Sequence, residues 1–304
     1  LSGSGGSSGS GGSGGTPGNA VEFFLQLPVG VQREAVALDA YGGSLTLEDF
    51  SAILTTSGGY SSATVVATTT TTSIGASAAL QNLWSEPSVL LKDSAHVHGN
   101  LTTHGTLTEL NGATVGGTAS ENTSLAPLQR PSWIVTFPTG ALPVQSITTW
   151  KTFAPGAYGA TTVRPWGKLT LSAGTYAFKS LSLEGGGTLD INNQNGPVFV
   201  YVETTLGWVG VVSLRDTTKD NVLFGVAGSS PVALASTFRG VLVAPYANVT
   251  LGACTPSHQG AFFAKSIKLT QGGVVKHRPF TPGNFCDENA TTCDGLCPCD
   301  GGEG

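Results

Sequence analysis

Few side chains in this sequence combine the type and spacing that chemistry requires. His96-x-His98, followed by His104, is the best metal candidate. On a strand the first two imidazoles point to one side, and His104 would arrive from the next stretch of chain. A Zn or Cu site needs a fuller donor set than these three provide. Outward imidazoles on a solvated surface are the plainer reading, so no metal and no cofactor are expected. Cys286, Cys293, Cys297 and Cys299 crowd the C-terminus, with Cys254 as the fifth cysteine. Their spacing lacks paired C-x2-C knuckles, and in an exported chain it points to disulfides that staple a segment too small for a core of its own. Pairing stays open: Cys254 joins a tail cysteine or remains a reduced thiol.

Catalytic signatures are absent. Carboxylates are sparse and scattered at Glu184, Asp190, Glu203, Asp216 and Asp220. Of these, Glu184 and Asp190 are the pair that neighbouring coils could bring together for acid–base work on a polysaccharide. No Ser-His-Asp signature, P-loop or dinucleotide fingerprint occurs, and no enzyme activity is expected. Trp133, Trp150, Trp166 and Trp208 would stack on sugars if they lined one outer face; core packing is the usual alternative. The run Thr68–Thr72 and the pair Thr102-Thr103 could join a flat hydroxyl array. Consecutive threonines point both ways, however, and no long T-x-T ladder stands out at a fixed step.

The elements that must position these residues are strands. Charged residues are only 11% of the chain, too few for the polar faces of amphipathic helices. The 43 glycines and abundant Thr suit turn-dense β-structure, and 39% hydrophobic content is enough for a core. A net charge of -5 leaves no basic footprint for nucleic acid. No apolar run is long enough to span a bilayer.

The chain divides into a Gly/Ser tether (1–16), a segment expected to cap the N-terminal end (17–60), a solenoid (61–280) and a Cys-rich tail (281–304). Within the capping segment, Val31–Ala40 and Thr46–Leu54 are the candidate helices, with Thr46 as an N-cap. The absence of Met and the start at Leu1 suggest a processed product, expected outside the cell or on its surface. Leu1-Ser2-Gly3-Ser4 resembles a lipoprotein cleavage box in which Ser replaces the acylated Cys; an ordinary linker is the alternative.

From about residue 61 the chain repeats. Ala95-x-Val97-x-Gly99 returns as Ala113-x-Val115-x-Gly117, and Val249-x-Leu251 returns as Ile267-x-Leu269, each after eighteen residues. Leu107 follows Val89, and Leu189 follows Leu171, by the same step. Gly240–Ala244 returns as Gly260–Ala264 after twenty. Alternation puts one face in and one out. The step predicts an all-β, right-handed parallel β-helix with triangular coils of about eighteen residues, a β-sandwich being the alternative.

The stretch Lys168–Tyr176, running on through Leu181-Ser182-Leu183 to Gly196–Val202, resembles secreted bacterial β-helix proteins, many of them myxobacterial. Phe238–Val249 and Gly260–Lys265 fit the same group, so the resemblance covers about 60 to 280. Its rhythm is also similar to the ice-binding β-helix family and, more distantly, to bactofilins. The resemblance implies a right-handed β-helix and carries over no catalytic residue. The expected function is a secreted or surface-anchored structural or adhesive solenoid, assembling with itself through coil ends or tail cysteines, or contacting extracellular matrix. The alternative is a module that binds glycan or ice on a flat face.

Overall fold

The computed structural model describes residues 18–55, 57–60, 63–68, 71–124 and 126–278. The Gly/Ser tether, Thr69, Thr70 and the tail with Cys286, Cys293, Cys297 and Cys299 lie outside the described residues.

Short parallel strands stack as a β-solenoid of about 11 turns, with no α-helix among the described residues. At about 4.8 Å per turn the rod is roughly 50 Å long. The vertical pairs expected from the repeats are present: Val97 lies on Val115, Val89 on Leu107, and Val249 on Ile267. The step is not constant. Leu189 sits on Leu169, and Leu171 on Ile191, so the eighteen-residue match of Leu171 with Leu189 is replaced by a step of twenty. Where corners carry longer loops the step grows further, as from Val198 to Val222. Inward side chains set the register, and corner loops absorb the difference.

The order of coils departs most from expectation. Residues 17–60 do not cap an end. Val36–Ala40, Leu45–Leu47 and Ala52–Thr55 form a complete coil in the middle of the rod. One side of this coil pairs with strands His258–Leu269 and Val274–His277, near the C-terminal end of the described chain. The other side pairs with Thr64–Ala67, Thr72–Ile74 and Ala79–Leu80. The candidate helices at 31–40 and 46–54 are therefore strands, preceded by one 3-10 turn at Arg33–Ala35. Their alternate residues Leu38, Ala40, Leu45, Leu47 and Ile53 continue the core that a neighbouring coil already presents, and that tertiary gain overrides weak local helix signals.

The first coil thus lies at mid-rod, and from it the chain winds outward to Ala119-Ser120. It then returns along the outside and begins again at Gln145–Ile147 on the opposite end, winding back to the middle. The seam where the two halves meet has the same backbone ladder as any other step: Gly42 N–H donates to Lys265 O at 2.9 Å, Glu48 to Leu269 at 2.9 Å and Ala52 to Gly273 at 2.9 Å. One apolar cluster runs through both halves without a break.

The three sides of the rod differ. The first side is covered by a strap, in which Asn19–Phe24 pairs antiparallel with Ser132–Phe137, and Leu27-Pro28 with Leu128-Gln129. Phe23, Leu25, Leu27, Trp133 and Phe137 of the strap bury themselves on Tyr201, Leu223, Val241, Val243, Phe263, Val66 and Trp84, which bridges the seam. Full burial of each large apolar side chain contributes about 1.5–3 kcal/mol, so the strap clamps the two half-rods together. No described residue lies over the second side. The third side is two separate sheets, Trp150–Phe153 to Val211–Leu214 on one half and Val274–His277 to Thr114-Val115 on the other. Loops at 235–238 and 252–257 part them.

Candidate functional site

The open side is the most regular surface of the molecule. Its inward residues, among them Ile147, Val163, Leu183, Trp208, Leu234, Leu251, Leu269, Leu47, Ile74 and Leu91, are all buried and hold the strands flat. Between them one outward position per coil stacks in register: Ser146, Thr162, Ser182, Gly207, Ala233, Thr250, Lys268, Thr46, Ser73, Leu90 and Thr108. A second column two residues earlier holds Ser180, Thr205, Asn248, Ser266, Ser44, Thr71, Ser88 and Thr106, with Pro231 in the series. The positions repeat at about 4.8 Å along the rod and about 6.6 Å across it, and Ser or Thr fills most of them, with Gly207, Ala233, Lys268 and Leu90 interrupting the first column and Pro231 and Asn248 the second.

Both columns pass over the seam without a gap, because Ile267 lies on Leu45 and Lys268 on Thr46. The hydroxyls of Thr46, Ser73, Thr162, Ser182 and Thr250 hydrogen-bond to no other side chain or backbone group among the described residues. β-branched threonines on a strand have few rotamers, so the array is ordered before anything binds it. One charged side chain, Lys268, stands within the first column at the seam. Lys268 leans to Glu48 at 2.6 Å, and that hydrogen bond holds the Glu48 carboxyl below its ordinary range. Arg164 pairs with Glu184 at 2.8 Å.

The threonines singled out from the sequence join this array only in part. Thr71 belongs to it, Thr72 points inward to Ser85 Oγ at 2.9 Å, and Thr68 is buried. Thr102 and Thr103 lie on the strap side, where Thr103 donates to Pro87 O at 2.8 Å. The informative signal is a hydroxyl on each side of a single apolar residue, as in Ser44-Leu45-Thr46, Thr106-Leu107-Thr108 and Ser180-Leu181-Ser182.

His96 and His98 do come together, with ring centroids 4.0 Å apart, but their partners are not metal ligands. Tyr60 stacks on His98 at 3.5 Å, and Thr114 hydrogen-bonds His96 Nδ1. Partial burial and the neighbouring His96 push the His98 pKa down. His104 is exposed at a different corner, and among the described residues no three His, Cys, Asp or Glu are grouped to hold a metal.

The four tryptophans separate into two pairs. Trp133 is 6% exposed under the strap, and Trp208 is 1% exposed in the core against Phe224 and Phe238. Trp150 and Trp166 are open to solvent on adjacent coils of the third side. Glu184 and Asp190 engage different cations: Asp190 accepts from Arg215 at 2.9 Å and pairs with Lys168 at 3.1 Å. Burial opposes ionisation of Asp190, but hydrogen bonds from Arg215 and Lys168 outweigh it and hold its carboxyl low.

One contact had no counterpart in the sequence reading. Cys254 Sγ lies 3.5 Å from His258 Nε2, beside a groove of about 650 Å³ on the third side. The pair resembles a nucleophile and its base, but the geometry opposes that role. Phe238 N–H donates to His258 Nδ1 at 3.2 Å, so the proton resides on Nε2, which donates to Gly252 O at 2.8 Å. Nε2 then has no lone pair to take the thiol proton. Burial pushes the Cys254 pKa up and the His258 pKa down, leaving both neutral near pH 7. The groove lining contains no carboxylate and no second base.

Among the described residues no helix is long and apolar enough to cross a membrane. Compared with known proteins, the chain matches no family model, no curated protein and no solved structure.

Proposed function

We propose that this protein is a non-catalytic adhesive rod, exported to the cell surface or beyond it, that holds an ordered surface by its open side, and that the surface is ice. The reading rests on one observation: two columns rich in Ser and Thr run in register along the open side, and the hydroxyls of Thr46, Ser73, Thr162, Ser182 and Thr250 bond to no other group among the described residues. A rigid lattice of hydroxyls and methyls suits a partner that is itself a lattice. Each contact is weak, but many form together with little ordering entropy left to lose. The strap and the parted third side offer nothing comparable.

Ice-affinity partition and ice-recrystallisation assays test this directly, with crystalline chitin and cellulose as competing surfaces. Replacing Thr46 and Ser73 by Lys at the centre of the array should abolish partition into ice, whereas Thr188→Lys on the third side should leave it intact. Failure of the wild-type protein to partition, or equal loss in the control, defeats the proposal. Growth into filaments has less support because one end is covered. Ile147 and Phe153 are buried at one end, whereas Leu107, Ala113 and Val115 are only partly covered at the other. Sedimentation at high concentration separates a pair joined at one end from an open polymer.

A further inference from the structure

We infer that the third side of the half-rod running from Trp150 to Val211 carries a separate binding site for an acidic, uronate-bearing polysaccharide. Four of the most exposed large apolar side chains of the molecule gather here: Trp150 at 82%, Trp166 at 87%, and Val209 and Val211 beyond them. They occupy neighbouring coils, since Trp150 pairs in register with Lys168, Lys168 with Thr188, and Thr188 with Val211. A contiguous exposed apolar patch of this kind marks a contact surface. Trp166 holds φ at +68°, a left-handed conformation that a bulky residue rarely adopts, and it aims the indole off the corner into solvent. Between Trp166 and Val209 the corner consists of Gly185, Gly186 and Gly187, so no side chain fills the space between the two apolar walls.

The polar surroundings select the ligand. Thr152 and Ser213 stand in one outward column with Thr170 and Asp190; the first two are exposed and able to hydrogen-bond a sugar hydroxyl, whereas Thr170 donates to the buried Asp190. Three cations, Arg164, Lys168 and Arg215, face only two carboxylates, Glu184 and Asp190, in a chain whose net charge is -5. Lys168 Nζ lies 5.4 Å from the Trp150 ring centroid, so a cation and an aromatic platform meet at one point. Indoles stack on the apolar face of a pyranose ring, and a surplus cation beside them complements a ring carboxylate. A neutral glycan would use the indoles and leave that charge unanswered.

The test titrates the full chain with polygalacturonate oligomers, with dextran as the neutral comparison, following tryptophan emission and its quenching by iodide. Trp84, Trp133 and Trp208 are buried, so the iodide-accessible signal comes from Trp150 and Trp166. The expected result is protection from iodide by polygalacturonate and none by dextran. Trp150→Ala and Trp166→Gly should each weaken binding roughly tenfold, about 1.4 kcal/mol. Lys168→Gln should weaken it and flatten its salt dependence. The inference is overturned if the wild-type chain shows no protection, if dextran protects equally, or if well-folded variants bind as the wild type does. The wild-type quenching result stands even if a variant fails to fold. Ice partition by the open side is independent of every one of these outcomes.

Discussion

Asp39 should make this protein less stable at neutral pH than in mild acid, and removing its charge should reverse that. It lies in the covered column at the seam, with Phe263 on one side and Val66 on the other, wholly buried beneath the strap. Neither carboxylate oxygen has a full hydrogen-bond partner among the described residues, and the nearby Tyr41 hydroxyl also has none. Burial pushes the Asp39 pKa well above its ordinary value, and the Gln26 backbone offsets only part of that. Arg130 acts on Tyr41 and Tyr246 from the rim, but it pairs with Glu22 at 3.0 Å.

A carboxyl whose folded pKa lies above its unfolded value of about 3.9 contributes most below that pH. The contribution fades as pH rises towards and through the raised value. An unpaired buried polar group costs about 1–3 kcal/mol. Asp39→Val continues the apolar column with a strand-favouring side chain and should recover that amount at pH 8. Each kcal/mol should raise Tm by about 2–4 °C in a chain of this size. Asp39→Asn should remove only the pH-dependent part. Urea unfolding of the three proteins at pH 4, 6 and 8 measures both effects. A wild-type-to-Asn difference that stays the same at every pH would refute the reasoning, as would an Asp39→Val protein weaker than wild type at pH 8.

His258 carries the opposite slope. Its folded pKa is pushed below the unfolded value of about 6.5 by burial, so its contribution is complete above that pH and declines as pH falls beneath it. The stability difference between wild type and His258→Gln, read as urea midpoints, should therefore shift against the wild type as pH falls from 6.5 to 5, whatever the net slope that Asp39 imposes on both. A difference that does not move with pH would count against the neutral tautomer assigned from Phe238 and Gly252. Glycines give a paired comparison. At Gly260, φ is +144° and a Cβ would meet Gly240 O at 1.7 Å, so Gly260→Ala should cost about 4 kcal/mol or more. Gly272 has φ +68° but open space around it, and Gly272→Ala should cost only about 1–2 kcal/mol. Equal losses in thermal melts would show that conformation alone, not the close approach of coils, governs Gly260.

Local pattern in the sequence determined a good deal. Alternation about Val97, Val249 and Leu269 dictates which side chains enter the core, because strand side chains alternate with period two whatever the neighbours are. Recurrence near eighteen dictates that these residues stack, and hence the solenoid. The hydroxyl array is also written there, as small polar residues flanking single apolar ones, but corner loops of unequal length put its members at unequal steps along the chain.

Only the tertiary structure decided the order of the coils, because one parallel strand edge accepts another on backbone hydrogen bonds that carry no sequence label. Leu38 and Leu45 could have ended a rod; burial on Phe262 and Ile267, with Phe23 and Trp133 clamped across the join, placed them at its centre. The same packing buried Trp133 and Trp208 and left Trp150 and Trp166 open, a distinction that composition and spacing do not contain.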